Sequence, residues 1–436
     1  MGSMQQLPPG PQAPVALQTY EWIARPTALL RRCQARFGEP FTLRIATSDA
    51  PMVLISDPQE IKRVFAAGPD VLRPGAGSAA LEPFTGPSSI LVLDGAEHLR
   101  QRKLMLPPFH GDALQRWRAT IAELAAAELD GWPPGTPLRT HPRMQQLTLE
   151  VILRVVFGGG DAELRDAIRR ALDLTTSLPR LTAMSLVQRD IGPWRTFMRA
   201  VRRLDALLYE RIDGAADDGS VLTLLKAARH EDGSPPSRAD LRDQLVTLLA
   251  AGHETTAGAL AWALERLARR PDVLERIRDG DDAYLDAVVK EVLRVRPVLS
   301  VLPRKVVESF ETGGWSLPAG VHVTPCIYLA HRRPDVWDDP TAFRPERFLD
   351  GAPEPYTFIP FGGGVRRCVG AAFATLEMRE VLRAVAARFE LKPDHPDGER
   401  MRRRSITLTP ARGGRVVPEV LPSPAARCRS SVVTTV

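Results

Sequence analysis

Three consecutive glycines and a cysteine, set directly before an apolar helical run, constrain this chain more than any other stretch. Residues 358–377 read FIPFGGGVRRCVGAAFATLE. Gly362, Gly363 and Gly364 let the backbone turn tightly and approach another body without a side-chain clash. The helix expected after Gly370 offers free N–H groups and the positive end of its dipole, and both stabilise a thiolate at Cys368. Arg366 and Arg367 add positive charge beside it. A buried structural cysteine at a glycine turn is the plainer account of the same letters. A phosphate-cradling loop fits poorly, because no Lys-Ser or Lys-Thr follows the glycines.

Residues 238–270 carry Leu241, Leu245, Leu248, Leu249, Ala259, Leu260, Ala263, Leu264 and Leu267 at helical spacing. The segment Ala251-Gly252-His253-Glu254-Thr255-Thr256 interrupts this long helix in its middle. Thr255 shares a stripe with Leu248 and Ala259, so a hydroxyl sits where core is expected. Such a threonine bonds back to the carbonyl one turn earlier and bends the helix. Gly252 removes a side chain where a ligand would approach. A mildly kinked core helix accounts for these residues equally well.

Strand-favouring aromatics are few and Ala, Leu, Arg and Glu abound, so the chain reads as mainly helical with a small β-rich part. The formal charge of +6 is modest for 436 residues and spread along them, which argues against nucleic-acid binding. No segment has the apolar length of a membrane anchor. Cys33, Cys326, Cys368 and Cys428 are scattered without CxxC spacing, so neither zinc nor a disulfide framework is expected, and a cytoplasmic setting is. Residues 1–14 read as a Pro-rich lead-in of extended chain continuing to 19, 15–420 as one domain, and 421–436 as a frayed tail. A helix is expected over 20–36, strands over Phe41–Ile45 and Met52–Ile55, and over 70–93 a long loop that either covers a binding site or is a plain surface loop. Helix dominates from 96 to 300, with turns at 214–220 and 231–237. Strands are expected within 311–326, ordered coil over 331–365 and short β segments over 402–420.

The run Phe361-x-x-Gly364-x-Arg366-x-Cys368-x-Gly370 resembles the haem-binding signature of the cytochrome P450 family at every fixed position. That resemblance implies the triangular helical prism of the family, with haem b held between the central helix and the helix after Cys368. It makes Cys368 the axial iron ligand, whose thiolate favours O–O cleavage. Phe361 would pack beside the sulfur, Gly362 and Gly370 would shape the loop, and Arg366 would meet a haem propionate. The segment AGHETT is similar to the family's oxygen-activating segment. Thr255 then holds dioxygen and its proton network, Glu254 relays protons, and Ala251 and Gly252 line the pocket. Glu291 and Arg294, at i, i+3 in YLDAVVKEVLRV, resemble the Glu-x-x-Arg motif, and Arg347 in PERF completes a structural Glu-Arg-Arg cluster. His98, Arg102 and Arg304 match the family's other propionate partners.

These likenesses imply a monooxygenase that hydroxylates or epoxidises an apolar terpenoid, steroid, fatty acid or polyketide. It would use O2 and two electrons from a soluble ferredoxin or flavodoxin with its reductase, and act as a monomer. No flavin or iron–sulfur segment is expected in the chain. Arg100, Arg102, Lys103, Arg366 and Arg367 would form the docking face for an acidic donor. Leu81, Phe84, Ile90 and Leu91 would form one pocket wall and the stretch Leu178 to Leu186 the other, with Val298, Leu299 and Val301 facing the haem. Two other readings keep the cysteine: a peroxide-driven or redox-neutral enzyme, and a non-catalytic haem sensor.

Overall fold

The computed structural model describes residues 7–176 and 192–422. Eleven longer helices and twelve short strands position the site among the described residues. The helices are α1 (Val15–Ala24), α2 (Pro26–Phe37), α3 (Pro58–Ala66), α4 (Gly95–Met105), α5 (Gly111–Asp130), α6 (Thr140–Phe157), α7 (Ala162–Thr176), α8 (Gly192–Gly214), α9 (Arg238–Leu267), α10 (Asp282–Val295) and α11 (Ala371–Arg388). Helix makes up 54% of the structure, so the fold is mainly α.

The helix expected over 20–36 is two helices. Pro26 has no amide hydrogen to continue α1, and its ring fits the first position of α2. Helix α1 also begins at Val15, inside the stretch read as extended. Helix α3 follows the strand pair, and Asp57 caps it by accepting from the Gln59 and Glu60 amides. The stretch 70–93, read as loop, holds strand β3 (Leu72–Arg73), a 3-10 turn over Ala76–Leu81 and one helical turn over Glu82–Thr85.

Helix α9 is the axis of the molecule. Ser237 and Asp240 close a reciprocal capping box at its start. Its far half, Ala257 to Leu264, is buried on every side. It packs against α6, α8, α10 and α11. One large apolar cluster joins these helices to α5.

The β part lies to one side. Strands β1 (Phe41–Leu43), β2 (Met52–Ile55), β8 (His322–Pro325), β5 (Arg304–Val306) and β3 form a five-stranded sheet in that order. The β2–β8 pair is parallel, with Met52 beside His322. Strand β4 (Leu138–Arg139), β12 (Arg415–Val420) and β9 (Phe389–Pro393) make a second sheet. Strands β6 (Phe310–Thr312) and β7 (Trp315–Leu317) form a small hairpin. The hairpin β10 (Met401–Arg404) and β11 (Thr407–Pro410) reaches the strand-like segment after α10: Leu408 N–H donates to the Val298 carbonyl at 2.7 Å, and Thr407 bridges Leu299.

Candidate active site

The cysteine loop is closed by its own backbone. Cys368 N–H donates to the Phe361 carbonyl at 2.9 Å, and Gly362 N–H to the Ile359 carbonyl at 3.0 Å. The glycines make close approach possible, but at two positions the body approached is protein. A Cβ on Gly363 would lie 2.5 Å from the Phe65 ring, and one on Gly364 would lie 2.6 Å from the Phe65 carbonyl oxygen. Gly364 also has φ +61°, which disfavours a side chain on its own account. Cys368 is reachable from open space, yet it sits deep in the protein: burial pushes its thiol up, while the Gly370 amide and the Arg102 and Arg367 charges pull it down. A bound iron would supply the charge that tips this balance to thiolate.

Beside the loop lies a cluster of positive side chains. His98 is buried, and burial with the charges of Arg366, Arg102 and Arg304 pushes its pKa down to about 3. Arg304, the first residue of β5, is buried as well. Burial and the neighbouring Arg366 push it down to about 10, and its one hydrogen bond among the described residues goes to the Pro303 carbonyl, at 3.0 Å. A buried guanidinium without a carboxylate partner is costly. The cluster therefore fits a cofactor that brings acid groups of its own, as haem does. Arg366, expected at a haem propionate, also has partners within the chain. It donates to the Ile90 carbonyl at 2.7 Å and to the Leu93 carbonyl, and pairs with Asp94 at 2.7 Å. Its fork is committed to the loop before α4.

The centre of α9 is less buried than its far half. Leu248, Ala251, Gly252 and Thr255 are partly or fully exposed positions along one strip of a mostly buried helix. Thr255 Oγ1 donates to the Ala251 carbonyl at 2.6 Å, the back-bond its position in the stripe suggested. A Cβ on Gly252 would meet the Ile152 side chain of α6 at 3.1 Å, so this glycine also gives room to a packed helix. Glu254 turns away from Thr255, as adjacent helical residues do. Its carboxylate accepts from Gln145 Nε2 at 2.6 Å and faces Arg404 at 3.1 Å. Burial raises its pKa and Arg404 opposes the rise.

The expected pocket walls divide. Leu81 and Leu91 are partly exposed, whereas Phe84 and Ile90 are buried in the main core. The Phe84 ring lies 6.2 Å from Phe197 of α8. Val298 joins the main core, Leu299 packs on the cluster beneath the five-stranded sheet, and Val301 packs on the α1–α2 cluster. The three side chains thus pack against three different clusters. Leu178 and the wall reaching Leu186 lie outside the described residues. Ile406, exposed at the tip of the β10–β11 hairpin next to Leu299, escaped the sequence reading. Nothing in its neighbours RRRS marks it as a contact.

Asp94 escaped notice too. Its carboxylate accepts from Gly75 N–H at 2.7 Å and Ala76 N–H at 3.0 Å, and it holds Arg366. Asp243 and Gln244 of α9 bind the same loop: Asp243 accepts from Ser88 N–H at 2.9 Å, and Gln244 donates to the Ser88 carbonyl at 2.5 Å. A short polar residue before a predicted helix was the available signal for Asp94, but it indicates a cap and not a clamp.

The Glu-Arg-Arg cluster is assembled. Glu291 takes Arg294 in a fork at 2.7 and 2.8 Å and Arg347 at 3.3 Å, and it also accepts from the Arg344 amide. Arg294 donates onward to the carbonyls of His331, Pro340 and Ala342. The docking face is only partly free. Arg100 pairs with Asp232 and Lys103 with Glu231, Arg366 points inward, and Arg102 is partly buried. Arg367 is exposed.

Cys368 is the one exposed thiol among the described residues, and with the cations beside it and the hydroxyl of α9 it fits a haem-thiolate class of protein. The cytochrome P450 family model matches residues 8–416. Cytochrome P450 135B1 of Mycobacterium tuberculosis (strain ATCC 25618 / H37Rv) is 40% identical over 433 residues, covering 95% of this chain and 92% of its own. Cytochrome P450 138 of the same strain is 39% identical over 427 residues, covering 94% and 96%. The solved structure of a retinoic acid bound cyanobacterial CYP120A1 shares the fold with a TM-score of 0.84 at 24% identity, over 96% of this chain and 100% of that one. The cytochrome P450DA heme domain does so with a TM-score of 0.79 at 21% identity, over 95% of this chain and 97% of that one. This chain belongs to the cytochrome P450 family, and it is a P450 monooxygenase.

Proposed function

We propose that this monooxygenase hydroxylates or epoxidises a largely apolar small molecule, using O2 and two electrons from a separate soluble ferredoxin or flavodoxin. The observation that carries the reading is the less buried strip of α9 around Ala251 and Thr255, where the Thr255 hydroxyl bonds back to the Ala251 carbonyl. Cys368 would hold the iron of haem b, and His98, Arg102 and Arg304 would hold its acid groups. Bound haem supplies dioxygen binding and O–O cleavage, which the thiolate promotes.

The chain's own residues do the rest. Leu81, Leu91, Leu248 and Ile406 offer apolar surface that orients a substrate of matching character and excludes water. Thr255 Oγ1 exchanges its back-bond to Ala251 for a hydrogen bond into the pocket, and so holds a proton at a fixed place. Glu254 supplies protons from the other side of the helix. Asp94 keeps Arg366 and the loop start together, so the pocket wall is fixed to the cysteine loop. The reading also takes the chain to act as a monomer in the cytoplasm. No helix among the described residues is long and apolar enough to cross a membrane.

The test is the carbon-monoxide spectrum of the reduced protein, followed by a panel of apolar ligands scored by spin-state shift. The thiolate spectrum is expected in the parent and lost in Cys368→Ser. A Ser variant with the parent spectrum would overturn the assignment. Thr255→Ala is expected to keep the spectrum and spill electrons to peroxide, read as product formed per electron pair consumed.

A further inference from the structure

Glu254 of α9 and Arg404 of β10 form a buried ion pair, 3.1 Å between Oε1 and Nε, and two buried ring nitrogens without a hydrogen-bond partner, His141 Nε2 and His253 Nδ1, belong to residues beside it. Here the start of α6, the middle of α9 and strand β10 come together. Buried polar atoms are nearly always satisfied, so a concentration of unsatisfied ones marks a place where something else binds or moves. Glu254 Oε1 and His141 Nε2 are 3.8 Å apart, too far for a direct hydrogen bond and suited to one bridging water. Both side chains are nearly closed to solvent, at 15% and 7% exposure.

We infer that His141 is the residue that returns a proton to Glu254, so that protons enter the site from the α6 side. The inference rests on the reading of Glu254 as the acid behind Thr255. The other groups facing Glu254 cannot perform this step. Arg404 of β10 carries a guanidinium, which offers donors and no acceptor. Gln145 of α6 does not titrate. Asp173 of α7 is paired with Arg404 at 3.5 Å. His253 follows α9 beside Glu254 and points to another side of the helix. Imidazole can accept a proton at one nitrogen while releasing one from the other, which is what a relay needs. The ring of His141 is held neutral by burial first and then by the charges of Arg404, His253, Arg139 and Arg402, down to about 3. It therefore passes protons without storing charge. In each transfer the Nε2–H bond of His141 breaks and an O–H bond forms on Glu254, directly or through one water. The ring takes up a proton at Nδ1 as it gives one up at Nε2, and a ring flip then returns the N–H to the Glu254 side, so the net movement is one proton.

The experiment is infrared spectroscopy on the haem-loaded protein. Glu254→Gln identifies the carboxylic acid band of Glu254, and the rate at which that band shifts after mixing with D2O reports proton exchange at the carboxyl. Exchange is expected to slow on the order of tenfold or more in both His141→Phe and His141→Gln, as for loss of a positioned acid–base group. Gln keeps a polar side chain at the site should Phe fail to fold. Arg404→Gln is expected to leave the exchange fast. Parent-like exchange in both His141 variants, or slowing in Arg404→Gln alone, overturns the inference. Product formed per electron pair separates the two levels. If Glu254→Gln leaves it at the parent value, the reading of Glu254 falls and takes this one with it. If Glu254→Gln lowers it while both His141 variants match the parent, only His141 is wrong.

Discussion

Glu377 lies on the inner face of α11, fully buried, with one carboxyl oxygen unpartnered. Burial alone raises its pKa well above the usual carboxylate range. The sign of the pH effect follows from that direction. In the unfolded chain the group ionises near 4.5, whereas the folded protein keeps it protonated well above that point. Its stability contribution is whole below about 4.5 and is lost as pH rises toward the folded value, at about 1.4 kcal/mol per pH unit across the window. Glu377→Gln removes the titration and keeps the shape. Its urea midpoint is expected to gain on the parent as pH rises above about 4.5. A gap that stays constant with pH would show that Glu377 is already ionised in the fold. At this scale the sequence was informative wherever a residue's role depends on its own helix. The Thr255 back-bond could be read from the stripe. It was silent wherever the role depends on a distant partner: Ile152 against Gly252, Phe65 against Gly364, and Asp94 on Arg366. Spacing describes one segment, and these contacts join segments far apart in the chain.

Between elements, the long coil over 331–365 depends on three fixed points. Arg294 donates to carbonyls at 331, 340 and 342, Glu291 holds the Arg344 amide and Arg347, and His331 Nε2 accepts from Ile359 N–H at 2.9 Å. Coil of this length has few backbone pairs of its own, so its order comes from such side chains. Arg294→Lys cannot reproduce the fork and leaves a fully buried carboxylate poorly matched. The expected loss is about 3 kcal/mol in urea unfolding, the scale for breaking a buried pair, with reduced cofactor content on purification. A parent-like midpoint would place the cluster outside the fold's support. The His331 ring must be neutral to accept that bond, and burial with nearby Arg294 and Arg332 holds it at about 3. Its contribution is present above the ordinary histidine range and fades as pH falls from about 6.5 toward 3. His331→Asn should flatten the acid limb of stability between those values, measured by thermal midpoint. The coil itself was legible from its proline, aspartate and glycine. The two-helix break at Pro26 and the helical turns within 70–93 were not resolved, because an apolar stripe runs through the first and loop-forming residues mask the second.

At the scale of the whole molecule, charge decides how an electron donor meets the protein. The sequence carries a formal charge of +6 and supplied a basic cluster near the cysteine loop, but composition cannot tell which cations are already paired. Arg100 and Lys103 of α4 face Asp232 and Glu231, in the turn after residue 230, and all four are largely exposed. Exposed pairs contribute little to stability, so their neutralisation costs the fold almost nothing. Their effect is on the field: two acids mask two cations on the surface nearest Arg367. On the proposed reading, an acidic ferredoxin would be steered by the cations that remain. Replacing both acids, as Glu231→Gln with Asp232→Asn, should therefore raise the second-order rate of reduction several-fold at low salt, since long-range attraction acts mainly on association. The rate should also fall more steeply with ionic strength, because screening acts on a larger effective charge. Stopped-flow reduction of the haem-loaded protein across a salt series measures both. A rate and a salt slope equal to the parent's would mean that the donor approaches another face, and that the cations of α4 serve only their own helix.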